Sequence, residues 1–253
     1  MYTCLENKVV LITGASTGIG AEVTKKFAQQ KAKVVINYHS NKEKAEALAK
    51  GITDAGGQAI TVQADVTNRQ EVDELIQQTV QTYGGIDILI NNAGSMVQRI
   101  PFEQLTEETW NYVYDVNVKS VYYVTQSALP YLKDSAEAAV VNVASVAGRN
   151  GGGPGAIHYA SAKGAVITLT KGLAKELIPY GIRVNGVNPG VIGTPFHEKF
   201  STPQIREGFV TGIPVGREGT PAEVANIITF LASQEASYLY GEIVEINGAQ
   251  LLD

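Results

Sequence analysis

Short apolar runs alternate with longer amphipathic stretches from one end of the chain to the other. The runs are KVVLIT (8–13), KVVIN (33–37), AITVQA (59–64), IDILIN (86–91), AVVNVAS (139–145), IRVNGVN (182–188) and EIVEIN (242–247). Most are unbroken and rich in Val and Ile, the pattern of strands buried on both faces. Between them, helical spacing of apolar positions covers 18–30, 42–55, 69–83, about 106–132, 159–178 and 221–232. Strand, helix and strand at this spacing predict a parallel sheet joined by right-handed crossovers. Seven strands with helices on both faces make one doubly wound α/β domain over residues 1–253. A ligand is then expected beyond the carboxyl ends of the strands, where the strand order reverses.

Composition narrows the setting. A chain of 253 residues can bury roughly three-quarters of its unfolded surface, so it needs no disulfide staple. The single Cys4 cannot form an internal bridge, which fits a reducing compartment. No run reaches the ~18 apolar residues of a membrane span, and MYTCLENKVVLITG lacks the basic start of a secretory signal. The expectation is a cytoplasmic protein with no membrane partner. A net charge of −5 with both signs interspersed also argues against nucleic acid, whose phosphates call for Lys and Arg.

The first chemistry-bearing feature is TGASTGIG (13–20), directly after the first strand. Gly14 leaves the strand, and Gly18 and Gly20 open the following helix. Without Cβ atoms the backbone can turn sharply and approach a ligand. The N–H groups at a helix start carry partial positive charge and suit a pyrophosphate.

The Gly-x3-Gly-x-Gly spacing resembles that of the short-chain dehydrogenase/reductase family. Further motifs follow in family order: NNAG (91–94), Asn117 in DVNVKS, Ser145 in VNVASV, Tyr159 and Lys163 in YASAK, and PGVIGT (189–194). The resemblance covers essentially the whole chain and implies a Rossmann fold, a nicotinamide cofactor and no metal. It implies that Gly14, Ser16, Thr17, Gly18 and Ile19 hold the pyrophosphate side. Asp65 is expected on the adenine amino group, with Val66 against the ring. Asn91 would stabilise the central sheet, while Ala93 and Gly94 leave room for the adenosine ribose. Pro189 and Gly190 would shape the chain beside the nicotinamide, and Ile192 and Thr194 would hold its carboxamide.

Dinucleotide sites often carry an Asp or Glu at the end of the second strand, on the adenosine ribose. Here that position aligns with Tyr38, followed by His39 and Ser40, and no carboxylate occurs before Glu43. A 2′-phosphate is therefore tolerated, with Ser40, Asn41 and His39 as donors. NADP is expected as the preferred cofactor, with NAD also accepted.

Tyr159 and Lys163 stand four residues apart, on one face of a predicted helix. A free tyrosine titrates near 10, and acid–base catalysis works best near the working pH. A neighbouring ammonium in a partly desolvated site would bring the phenol down. The pair then donates a proton to a carbonyl, or takes one from an alcohol. The resemblance adds Ser145 as hydrogen-bond partner of the substrate oxygen and Asn117, in a kinked helix, holding a water that links Lys163 to solvent. A binding-only sensor of this fold usually loses the Tyr or the Lys, and both are present.

The segment after PGVIGT, about 193–214, is expected to form a substrate lid. Two resemblances within the family compete. The start MYTCLENKVVLITGAST and the stretch from EKFSTPQIREGF onward look most like bacterial glucose 1-dehydrogenases. The overall pattern also looks like 3-oxoacyl-[acyl-carrier-protein] reductases. A carrier protein calls for a basic docking patch, whereas this mouth offers Lys133 beside Asp134 and Glu137, and Tyr180. A sugar would find His197, Glu198, His158, Asn150 and Arg149. The main expectation is a small alcohol, ketone or sugar, the alternative a 3-oxoacyl thioester. The family also implies a homotetramer, paired through the helices at about 106–132 and 159–178. Most relatives end the last strand in two glycines, where this chain has Gly248 and Ala249.

Overall fold

The computed structural model describes residues 2–252. Seven parallel strands form one sheet in the order β3-β2-β1-β4-β5-β6-β7. They are β1 Val9–Ile12, β2 Lys33–Tyr38, β3 Gln58–Gln63, β4 Ile88–Asn91, β5 Ala139–Val143, β6 Arg183–Pro189 and β7 Ile243–Ile246. The chain runs outward from β1 to β3, then returns to lay β4 against the other side of β1. Order therefore reverses between β1 and β4, where the topology rule places a ligand.

Strand alternation sorts the core into two layers. Val10 and Ile12 face one side with Val23 and Phe27 of α1 (Gly18–Gln29), Ile52 of α2 (Lys42–Asp54) and Val224 and Ile228 of α10 (Pro221–Ala232). Leu11 faces the other side with Leu75 of α3 (Arg69–Tyr83), Val124 of α5 (Ser120–Asp134) and Leu177 of α7 (Ile157–Leu177). Helix ends follow local chemistry. Asn68 accepts from the backbone N–H groups of Gln70 and Glu71 at the start of α3, and Gly84 closes it at φ 88°. Thr220 and Glu223 form a reciprocal cap on α10.

The long helix predicted at about 106–132 is two helices. α4 (Glu107–Tyr114) passes through a π-helical turn at Asp115–Lys119 into α5. The predicted lid segment contains α8 (Pro195–Phe200) and α9 (Pro203–Thr211), and the short α6 (Ala147–Asn150) precedes α7. At the end of β7, Ala249 takes φ 65°, a left-handed conformation that a second glycine would adopt without strain. Among the described residues, no helix is long and apolar enough to cross a membrane.

Candidate active site

The carboxyl ends of β1, β4, β5 and β6 open onto a cavity of about 720 Å³. At its floor the chain leaves β1 through Gly14, at φ 59°. The Gly14 N–H donates to Asn37 Oδ1 at 3.2 Å, which draws the turn against the end of β2. A methyl group on Gly20 would lie 2.6 Å from both Gly14 O and Asn92 Nδ2, so only glycine lets α1 start this close to the strand. Thr17 sits at the N-cap without donating or accepting through its side chain. The first-turn N–H groups are thus left facing the cavity, a cradle that fits a dinucleotide pyrophosphate.

Asn92 and Thr13 complete that floor, and neither was singled out in the sequence. Asn92 Nδ2 donates to Thr13 O (2.9 Å) and Gly14 O (3.0 Å). The backbone N–H groups of Asn92 and Ala93 both donate to Thr13 Oγ1 at 3.0 Å. The second Asn of NNAG was the available signal. Asn91 lies below the cavity inside the sheet, donating to Thr125 Oγ1 (3.0 Å) and Asn142 Oδ1 (2.8 Å).

Ser16, Thr17, Gly18, Ile19, His39, Ser40, Asp65, Val66, Ala93 and Gly94 line the half of the cavity around β1–β4. Asp65 Oδ1 accepts from the backbone N–H and hydroxyl of Thr67 (2.9 and 2.8 Å), while Oδ2 lies 3.8 Å from His39 Nε2. Tyr38 requires a correction. Its side chain is 5 % exposed in the core and does not line the cavity. Successive strand residues point to opposite faces, so with Asn37 at the cavity Tyr38 must turn inward.

Ser145, Tyr159, Lys163, Pro189, Gly190, Ile192 and Thr194 line the other half. Ser145 follows β5, where its Oγ accepts the Ala147 N–H at 3.1 Å and its hydroxyl hydrogen-bonds Tyr159. Burial pushes the Tyr159 phenol up to about 12, with the Ser145 bond pulling the other way. Burial likewise pushes Lys163 down to about 8. The lowering of Tyr159 expected from its ammonium neighbour is therefore absent here. Lys163 Nζ lies 5.7 Å from the ring centroid and donates to Val143 O at 2.8 Å.

Asn117 lies below the cavity lining, in the π-helical turn. Its Nδ2 donates to Val113 O (2.8 Å), one turn back, and to Ser95 O (2.7 Å) after β4. Its Oδ1 is buried and has no hydrogen-bond partner among the described residues. A methyl group on Gly94 would lie 2.7 Å from this oxygen and 3.1 Å from Lys163 Nζ, so both atoms converge beneath Gly94.

Over the substrate side, the Phe196 ring lies tilted 5.4 Å from Tyr159 and edge-on 4.8 Å from Phe200. Met96, Phe200 and Phe209 line the same space. Arg99 reaches across it, donating to Phe200 O (2.8 Å) and Pro154 O (3.0 Å). These residues were not anticipated, because a wall built from a loop and two short helices has no sequence period. Of the candidate sugar ligands, Asn150 and His197 line the cavity, while the other three do not. Arg149 pairs with Glu245 at 2.9 Å, His158 is fully buried, and Glu198 is exposed outside the lining. His197 lines the cavity, but burial pushes it down to about 4 and leaves it neutral.

A family profile described as "Enoyl-(Acyl carrier protein) reductase" matches residues 14–248. The 3-oxoacyl-[acyl-carrier-protein] reductase FabG of Thermotoga maritima is 43% identical over 248 residues, covering 98% of this chain and 99% of the relative. The 3-ketoacyl-(acyl-carrier-protein) reductase of Brucella melitensis, solved with NADH, is 36% identical with a TM-score of 0.90, covering 98% and 100% of the two chains. A Serratia marcescens short-chain dehydrogenase/reductase is 31% identical with a TM-score of 0.92, covering 98% and 99%.

Proposed function

The chain belongs to the short-chain dehydrogenase/reductase family, and from that premise we propose that this NAD(P)-dependent oxidoreductase reduces the 3-oxo group of an acyl thioester borne by acyl carrier protein, with NADPH preferred. The observation that carries the acyl reading over the sugar reading is the wall of Met96, Phe196, Phe200 and Phe209. Apolar side chains suit an acyl chain, whereas a sugar needs several convergent polar groups. The similarity to the two carrier-protein reductases points the same way. The expectation that Lys133, Glu137 and Tyr180 border the mouth needs correcting. They precede β5 and β6, at the amino ends of the strands and away from the cavity, with Glu137 paired to Lys8 before β1 at 3.1 Å, so they weigh for neither reading.

Gly14, Ser16, Thr17, Gly18 and Ile19 would hold the pyrophosphate, Asp65 and Val66 the adenine, Ala93 and Gly94 the adenosine ribose, and Pro189, Gly190, Ile192 and Thr194 the nicotinamide end. The bound nicotinamide supplies the hydride. Tyr159, protonated at neutral pH because burial raises it, holds the proton for the substrate oxygen. Ser145 donates a hydrogen bond to that oxygen. Lys163 would return the proton to Tyr159, resupplied through a water held on the open acceptor of Asn117. The carbonyl thus gains one hydride and one proton and becomes an alcohol. For the cofactor, His39, Ser40 and Asn41 at the end of β2 support a 2′-phosphate.

Initial rates test both choices. Acetoacetyl-carrier protein should be reduced far faster than glucose is oxidised, and NADPH should give the higher kcat/KM. Faster glucose oxidation would overturn the acyl reading, and an NADH preference the cofactor choice. A homotetramer belongs to the same reading, supported by exposed Tyr112 and Tyr122 on α4 and α5. Light scattering giving a monomer would refute it.

A further inference from the structure

His158 stands directly before the proton donor, yet it faces away from the cavity and is fully buried. Its Nε2 lies 3.0 Å from Met96 O and 3.1 Å from Gln98 O. Carbonyl oxygens only accept, so this nitrogen carries the hydrogen and donates to both. Nδ1 is buried and unpartnered among the described residues.

The residue between those carbonyls is Val97, at φ 67°. That conformation is a real outlier for a β-branched side chain. The Gln98 N–H donates to Met96 O at 2.8 Å, closing a three-residue γ-turn around Val97. With positive φ at its centre this turn is of the rare, strained kind. Such strain persists only where the surroundings over-determine it. Here the imidazole ties together the carbonyls on either side of the strained residue.

The strapped turn carries the substrate wall. Met96 lines the cavity at 3 % exposure, and Arg99 follows directly, donating to Phe200 O of the lid and to Pro154 O. Ile100 N–H then donates to Gly155 O at 3.0 Å. The start of the loop is held separately, through Ser95 O and Asn117. We propose that His158 is a positioning residue: by clamping the γ-turn at Val97 it sets Met96 and Arg99 against the lid, and so fixes the substrate side of the cavity without taking part in proton transfer. This rests on the reaction class and on the wall, not on the acyl reading.

The experiment uses the full-length enzyme and whichever carbonyl compound it reduces best. If wild-type enzyme reduces no 3-oxoacyl thioester, the acyl reading fails, while the present test still runs on another ketone. His158→Leu, which fills space but cannot donate, should raise KM for the carbonyl substrate about tenfold or more, the scale of one or two lost hydrogen bonds. Its kcat and its NADPH dissociation constant should stay within about threefold of wild type, with the pH profile of kcat unmoved. His158→Gln, which returns a donor at nearly the reach of Nε2, should bring KM back to within about threefold. Val97→Gly in the Leu background should also recover KM, because glycine adopts the turn without a clamp. A folded Leu variant with unchanged KM, a kcat loss without a KM change, or no rescue by either route overturns the proposal. Should the Leu variant not fold, His158→Asn against His158→Gln decides. The shorter amide cannot bridge both carbonyls, so equal KM values for the two would refute the clamp.

Discussion

Replacing Gly94 by alanine probes the convergence of Asn117 and Lys163 directly. The added methyl would stand 2.7 Å from Asn117 Oδ1 and 3.1 Å from Lys163 Nζ. Ordinary contact needs roughly 0.7 Å more than the first of these distances. Asn117 has no room to retreat, since Nδ2 is fixed at 2.7 Å from Ser95 O and 2.8 Å from Val113 O and the residue is fully buried. Lys163 is tied to Val143 O at 2.8 Å. Overpacking of this kind costs about 1–3 kcal/mol. If the strain is relieved by displacing the two polar groups in the working enzyme, kcat should fall by about 5- to 150-fold. Steady-state kinetics would read the loss, and melting temperature would show how much of the strain stays in the ground state. Asn117→Ala creates the space the methyl needs, so adding Gly94→Ala to it should cost little more, a non-additivity that a double-mutant cycle resolves. Wild-type kcat and stability in Gly94→Ala, or simple additivity with Asn117→Ala, would refute the reasoning.

Tyr159→Phe removes the proton donor and should lower kcat by about 10²–10⁴-fold while NADPH titration gives a nearly unchanged dissociation constant; substantial residual turnover would sink the assigned role. Arg183 is buried with its guanidinium on Leu231 O (2.6 Å), Ala232 O (2.9 Å) and Ala236 O (3.4 Å), at and just beyond the end of α10. Each stranded carbonyl costs about 1–3 kcal/mol, offset by no longer burying a charge. Arg183→Met should therefore lower the melting temperature by about 5–15 °C, and a shift within the scatter of the assay would contradict it. Lys163 is held down at about 8 from its ordinary 10.5 by burial, so between those values the unfolded chain binds the more protons and stability rises with pH. Urea titrations of wild type and Lys163→Met should run parallel below about pH 8 and diverge in favour of wild type above it, up to the ordinary value of 10.0 for Tyr159; parallel curves throughout would disprove the burial argument. Ala249→Gly relieves the left-handed strain at φ 65° and should raise the melting temperature by about 1–3 °C, as calorimetry can check.

The sheet was legible because strands covered on both faces read as unbroken apolar runs, and KVVIN, read as 33–37, is observed as Lys33–Tyr38. The long helix through Asn117 was less legible. A π-helical turn changes backbone hydrogen-bond register, not the apolar spacing, and Pro130 lies within α5 without ending it. The inward turn of Tyr38 was available from strand alternation, but alignment to a functional position took precedence. The state of Tyr159 depends on burial and on where Lys163 Nζ points, and spacing four apart fixes neither. His158 and Arg149 illustrate the same limit. Composition marks them as possible ligands, and only tertiary contacts reveal that carbonyls and Glu245 occupy them.

The extra residue in the turn at Asp115–Lys119 has an implication for engineering. Deleting one residue there would restore a regular hydrogen-bond ladder, and local helix stability should gain by it. The wider turn absorbs its extra residue within one revolution, so α4 and α5 would stay nearly in phase, but Asn117 inside the turn would lose its present place against Ser95 O. Sequence libraries that allow single-residue deletions and select for heat resistance alone would find this change attractive, and would be drawn toward well-folded but slow enzymes.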